Sequence, residues 1–182
     1  ATDGSNVVIN EVYGGGGNSG AEFTHDFVEL YNPTDKDIDI TGWTVDQCAK
    51  GGKCYGQAKL KGKIPAGGYY LIQGAPGNGG TKALPAPDFT EDALTYGSSA
   101  AVAYLKDASG TTIDLVGWGA ANAYEGAAAS GTSNETSVQR KTVGVDTDNN
   151  ENDFIVAAPT PQNSSNAGED PVDPAPEDPA DP

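Results

Sequence analysis

The sequence predicts an all-β protein, an antiparallel β-sandwich of about eight short strands. Three observations lead there. Apolar residues recur at every second position over short runs, as in Phe27-Val28-Glu29-Leu30-Tyr31. Turn clusters such as Asn32-Pro33-Thr34-Asp35 and Pro65-Ala66-Gly67-Gly68 separate the runs. The 25 Gly and 12 Pro interrupt the chain too often for long helices. Helical spacing is confined to residues 91–94 and 120–129, and Gly126 breaks the second.

The elements follow in order. Residues 6–13 alternate, with Val8, Asn10 and Val12 on one face and Val7, Ile9, Glu11 and Tyr13 on the other. Residues 14–17 are four glycines and read as a mobile connection. Residues 27–31 form a second strand, and Ile38 and Ile40 lead into a third at Gly42-Trp43-Thr44-Val45. A short strand is expected at 60–64, and a longer apolar one at Tyr69-Tyr70-Leu71-Ile72. Residues 101–105 and 112–116 flank the turn Asp107-Ala108-Ser109-Gly110 and make a hairpin, with Trp118 following at once. Residues 136–143 alternate, and Phe154-Ile155-Val156 is the last apolar run. The domain is expected to span 1–166. Residues 167–182 carry only acidic charges with frequent Pro, which predicts a disordered linker to a further domain.

The formal charge of −16 argues against nucleic-acid binding by the surface as a whole. No stretch is long and apolar enough for a membrane span, so no membrane insertion is expected. Cys48 and Cys54 lie in a Gly-rich stretch and read as a disulfide, which implies an oxidising compartment. Closing so short a ring contributes roughly 2.4 kcal/mol. A redox pair would have tighter spacing. Without Met or a visible leader, the chain reads as a processed or excised piece of an exported protein, secreted or at the cell surface.

Several motifs, in order, resemble one family. Val8-Ile9-Asn10-Glu11-Val12, the run from Asp26 to Pro33, and Thr41-Gly42-Trp43-Thr44-Val45 are similar to the lamin tail domain, in its bacterial secreted branch. Pro65-Ala66-Gly67-Gly68-Tyr69-Tyr70-Leu71, Asp114-Leu115-Val116-Gly117-Trp118-Gly119 and Thr160-Pro161-Gln162-Asn163 agree. The resemblance covers residues 5–165. It implies an immunoglobulin-like antiparallel β-sandwich that serves as an accessory module beside secreted nucleases and other exported hydrolases. It brings no catalytic group.

Three constellations could carry chemistry. Asp146, Asp148, Asn150 and Asp153 alternate oxygen ligands suited to Ca2+. They depart from the EF-hand at Glu151 and Ala157, and the same residues suit a turn closed by its own side chains. Lys50, Lys53, Lys59, Lys61 and Lys63 surround Tyr55, and no acidic residue lies between Asp46 and Asp88. Such a strip attracts phosphate and an aromatic stacks a base, while lysines on an edge strand also block aggregation. His25 beside Asp26 and Glu29 lacks a nucleophile, and Glu29 shares its face with Phe27 and Tyr31. Trp43 and Trp118 read as core anchors, with sugar stacking by an exposed Trp as the alternative.

The expected function is a noncatalytic accessory domain of a secreted bacterial protein. It would bind, target or space a downstream catalytic domain in the same polypeptide, a nuclease first, with DNA or a cell-surface polymer as ligand. The alternative is an adhesive or structural surface module that binds polysaccharide or protein.

Overall fold

The computed structural model describes residues 2–166. The linker expected over 167–182 lies outside them. The strands run in chain order as β1 (Val8–Tyr13), β2 (His25–Tyr31), β3 (Ile38–Asp39), β4 (Thr44–Ala49), β5 (Cys54–Lys59), β6 (Lys63–Ile64), β7 (Tyr69–Pro76), β8 (Phe89–Thr90), β9 (Ala101–Lys106), β10 (Thr112–Trp118), β11 (Ser137–Arg140) and β12 (Phe154–Ala157). A six-stranded sheet has the order β12-β11-β1-β2-β7-β8 and packs on a four-stranded sheet ordered β10-β9-β4-β5. All pairings within the two sheets are antiparallel except β7 with β8. A small ribbon of β3 and β6 closes one end. The result is an immunoglobulin-like β-sandwich. Among the described residues no helix is long and apolar enough to cross a membrane.

The core lies between the sheets. Ile9, Val12, Val28, Leu30, Ile72 and Val138 from one sheet meet Val45, Ala58, Ala103, Leu105 and Val116 from the other. Trp118 is fully buried among them, packed on Tyr96 at a tilt with ring centroids 5.8 Å apart. Its indole N–H donates to the Thr132 hydroxyl at 3.1 Å. Trp43 is half-buried against the same core. Neither indole forms the open sugar platform weighed from sequence.

The simple alternation expected for residues 6–13 fails at one residue. A β-bulge between Ile9 and Glu11 leaves Asn10 unpaired. Ile9 faces Leu30 and Val12 faces Val28, both inward, while Glu11 and Tyr13 turn outward opposite Glu29 and Phe27. Tyr13, Phe23 and Phe27 then pack under a second apolar cluster with Leu71 and Leu84.

Other corrections have physical reasons. The glycines at 14–17 are buried, not a mobile connection, because backbone packs on backbone there. A Cβ on Gly16 would lie 2.0 Å from the His25 carbonyl carbon. Residues 54–59, to which the sequence pattern assigns no strand, form β5, and the strand expected at 60–64 is reduced to β6. Cys48 and Cys54 form a disulfide across the β4–β5 hairpin. Neither 91–94 nor 120–129 is helical. A one-turn helix α1 (Asn150–Asp153) forms instead, capped by the Asn149 side chain, which accepts from the Asn152 N–H.

Trp118→Ala is expected to cost about 3–5 kcal/mol in urea unfolding followed by circular dichroism. Trp43→Ala should cost clearly less, because solvent already reaches that side chain.

Candidate functional site

β5 is a free edge, paired only with β4. This places the lysine strip along the rim of the four-stranded sheet. Lys50, Lys53, Lys59, Lys61 and Lys63 are all exposed, and Tyr55 is 67% exposed. The Lys53 ammonium sits 5.3 Å from the centre of the Tyr55 ring. Lys63 pairs with Asp37 at 3.1 Å. Among the described residues no carboxylate lies within ion-pair distance of Lys50, Lys53, Lys59 or Lys61. Beside the disulfide, a shallow depression of about 270 Å³ is lined by Asp46, Cys54, Tyr55, Gly56 and Gln57. Asp46 there is held by Lys106 at 2.7 Å and by the Gln57 amide at 2.7 Å, so its charge is already compensated. The strip can attract a polyanion along an edge, with one ring available to stack.

A second group lies at the opposite side of the sandwich. Carboxylate oxygens of Asp114, Glu125 and Asp146 lie within 4.8 Å of one another. The Arg140 guanidinium enters this group, 2.8 Å from Asp114, 3.9 Å from Asp146 and 3.6 Å from Asp153. Burial first, then the charges of Asp114 and Asp146, push Glu125 up to about 9, so it is a neutral carboxyl at pH 7. Burial also raises Asp114, against the pull of Arg140.

Of the residues read from sequence as calcium ligands, Asp146 belongs to this group. Asp148 is exposed, and its N–H donates to Asp146 Oδ1 at 3.0 Å. The Asp153 carboxylate accepts from the Thr147 N–H and hydroxyl at 2.8 and 2.6 Å. Asn150 is fully buried and staples three segments. Its Oδ1 accepts from the N–H groups of Gly117 and Glu125, and its Nδ2 donates to the Leu115 carbonyl. Asp114 and Glu125 had no spacing signal, because they come from distant parts of the chain. A hard cation at these oxygens would have to displace the Glu125 proton and share the carboxylates with Arg140.

A third group is one the sequence reading missed. Glu11 and Glu29 are neighbours across β1 and β2, and each is 1% exposed. Glu11 Oε1 accepts from the Ser137 hydroxyl at 2.6 Å and the Thr160 N–H at 2.8 Å, and Oε2 accepts from the Thr160 hydroxyl. Glu29 accepts from the Asn10 amide at 2.6 Å and the Gln162 N–H at 2.8 Å. Burial and then the nearby Glu11 charge push Glu29 up to about 8, and burial raises Glu11. A glutamate set among mainly apolar residues in each of two central strands was the available signal. Glu29 is therefore remote in role from His25, whose Nδ1 meets the Thr24 hydroxyl at 2.8 Å. Asp26 is buried at a second bulge and accepts from the Tyr96 N–H at 3.0 Å. Burial pushes it up to about 7.

Two facing sheets with this strand order define an immunoglobulin-like module. The sequence profile of the Lamin Tail Domain family matches residues 1–120, and the chain belongs to that family. The match includes the lysine edge, Glu11, Glu29 and Asp114, and ends before Glu125 and Asp146. β11 pairs onto β1 and β12 onto β11, and so they complete the same sheet. No curated protein aligns significantly with the chain.

Two predictions follow from the buried charges. Arg140→Gln leaves Asp114 without its cation and is expected to cost about 3–5 kcal/mol in urea unfolding. Glu125, raised in the folded state, contributes stability that is full below its ordinary range and is lost as pH rises toward 9. Glu125→Gln should therefore raise the urea midpoint relative to wild type at pH 8 more than at pH 4.5, and an equal effect at both would refute the assignment.

Proposed function

We propose that this domain is a noncatalytic accessory module of a secreted bacterial protein, which brings a hydrolase in the same polypeptide, a nuclease first, to a polyanionic substrate. The observation that carries this is the lysine edge. Four ammonium groups with no carboxylate partner among the described residues, and an exposed tyrosine, lie on or beside a free strand on a protein of formal charge −16. Excess negative charge elsewhere confines any polyanion to that rim. Family membership supports a module without its own catalytic set, and the disulfide supports an oxidising compartment.

Fluorescence anisotropy with a labelled DNA oligonucleotide tests the reading. Binding should weaken as salt rises, with a log–log slope of about −0.9 per phosphate contacted. Lys59→Gln with Lys61→Gln should make the slope shallower by about 2. Tyr55→Ala should weaken single-stranded DNA by about 1–3 kcal/mol. Absence of binding at low salt, or binding insensitive to salt, would sink the proposal.

A second reading is an adhesive module for polysaccharide. The observation that favours it is the outward face of the same sheet, which carries exposed Tyr55 and half-buried Tyr104, the latter beneath the Lys106 ammonium at 5.1 Å. Glycan binding lost in Tyr104→Ala and kept in the lysine variants would select it.

A further inference from the structure

After β12 the chain turns and crosses the outer face of the six-stranded sheet, roughly perpendicular to its strands. Three carboxylates hold it there through the N–H groups of alternate residues. Thr160 N–H donates to Glu11 on β1, Gln162 N–H to Glu29 on β2, and Ser164 N–H to Asp88 just before β8. Side chains complete the fastening. Gln139 on β11 donates to the Ala158 carbonyl at 2.9 Å, and Asn163 donates to the Ala86 carbonyl at 3.0 Å. The sheet is five strand spacings wide from β12 to β8, about 24 Å. Residues 158–164 in extended form span about 23 Å, so the segment is just long enough to cross.

The crossing decides where the chain leaves the domain. Docked, residue 164 lies at the β8 edge. Residues 91–94 join that edge to β5, since the N–H of Glu91 donates to Gln73, that of Ala75 to Leu94, and Gly56 lies directly against the Ala93 carbonyl. The docked segment thus delivers the chain on the side of the lysine edge. Undocked, the chain would leave from the end of β12, about 24 Å away at the other edge.

The fastening is neutral-donor to carboxylate, and among the described residues no cation pairs with Glu11, Glu29 or Asp88. From β1 comes Glu11, from β2 Glu29 and Tyr31, from β7 Tyr69, and from the loop before β8 Asp88. β11 offers only Ser137 and Gln139, and the segment itself carries no charge. Lys141 makes no ion pair with either glutamate, and Arg140 points to the opposite face toward Asp114. Covering both glutamates buries two like charges side by side, and taking up one proton relieves this.

We infer that residues 158–164 are a proton-linked strap, which docks across the Glu11–Glu29–Asp88 row with uptake of a proton by the glutamate pair and releases as that proton is lost. The sign follows from burial. Docked, Glu29 is raised to about 8, and undocked it regains solvent and an ordinary value. Docking is strongest below the ordinary glutamate range and weakens as pH rises to about 8.

Amide hydrogen exchange of the full chain reads this directly at Thr160 and Gln162. After correction for intrinsic exchange, the opening constant should rise with pH between about 5 and 8, by up to about tenfold per unit. Glu29→Gln keeps an acceptor for Gln162 without a charge, so it should hold the strap and flatten the pH dependence. Thr160→Val removes one donor on the strap itself and should raise opening at every pH with the slope unchanged. A pH-independent opening constant in the wild type, or an undiminished slope in Glu29→Gln, would overturn the inference. If Glu29→Gln does not fold, Glu11→Gln takes its place with the same expectation. These outcomes are separate from DNA binding, because the lysine variants leave the strap untouched.

Discussion

The backbone of Ile9 sets a constraint on which much of the sandwich depends. β1 is a central strand, yet β11 pairs with it only at Glu11 and Val12. One peptide edge at Ile9 is left without a strand beside it, and a buried N–H or C=O cannot go unpaired at low cost. Arg140 and Asp114 fill the gap. Asp114 accepts the Ile9 N–H at 2.7 Å, Arg140 Nε donates to the Ile9 carbonyl at 2.8 Å, and the two side chains pair with each other. Two side chains thus take the place of a ladder neighbour. Because Asp114 stands on β10 and Arg140 on β11, the same pair ties the two sheets together along one side of the sandwich. A buried ion pair contributes little net energy as a pair. Its value here is positional, since each side chain also meets the Ile9 backbone.

The bulge at Asn10 makes the opposite side of β1 work. Without it, strict alternation would send either Val12 or Ile9 away from the core. With it, both face inward and Glu11 turns outward beside Glu29. One irregularity therefore fills the core and builds the carboxylate row under the C-terminal segment. The cost is a desolvated acidic pair, which protonation and neutral donors offset.

Much of this was legible in the sequence and some was not. β1, β2, β7, β9, β10 and β12 were visible because β-branched and aromatic residues alternate there, and Trp118 was readable as a core anchor. β5 was invisible. Gly56, Gln57 and Ala58 have weak strand preference, and it is the β4 template and the disulfide that hold them extended. Bulges cannot be read from periodicity, because they break the period that reveals the strand. The acidic cluster and the Arg140 pair were hidden for a different reason. Asp114, Glu125, Arg140 and Asp146 meet only through tertiary packing, and the local spacing of Asp146, Asp148, Asn150 and Asp153 drew attention to a turn whose oxygens are largely engaged in closing it.

The charged surfaces divide by side of the sandwich. Arg140 and its carboxylates sit where β10 faces β11 and β12, and serve the interior. The lysines sit on the far rim, in the β4–β5 turn, on β5 and just after it, and face solvent. The C-terminal segment runs from the first side to the second across the sheet that separates them. A binding module that tethers another domain gains from such a route, because affinity at the rim acts through effective concentration only when the tether starts close to it. Moving the point of departure by the width of a sheet would change that concentration without altering a single contact to the ligand. In this arrangement the carboxylates that receive the segment set its course toward the lysine rim, and the bulge that presents Glu11 is what places the first of them under it.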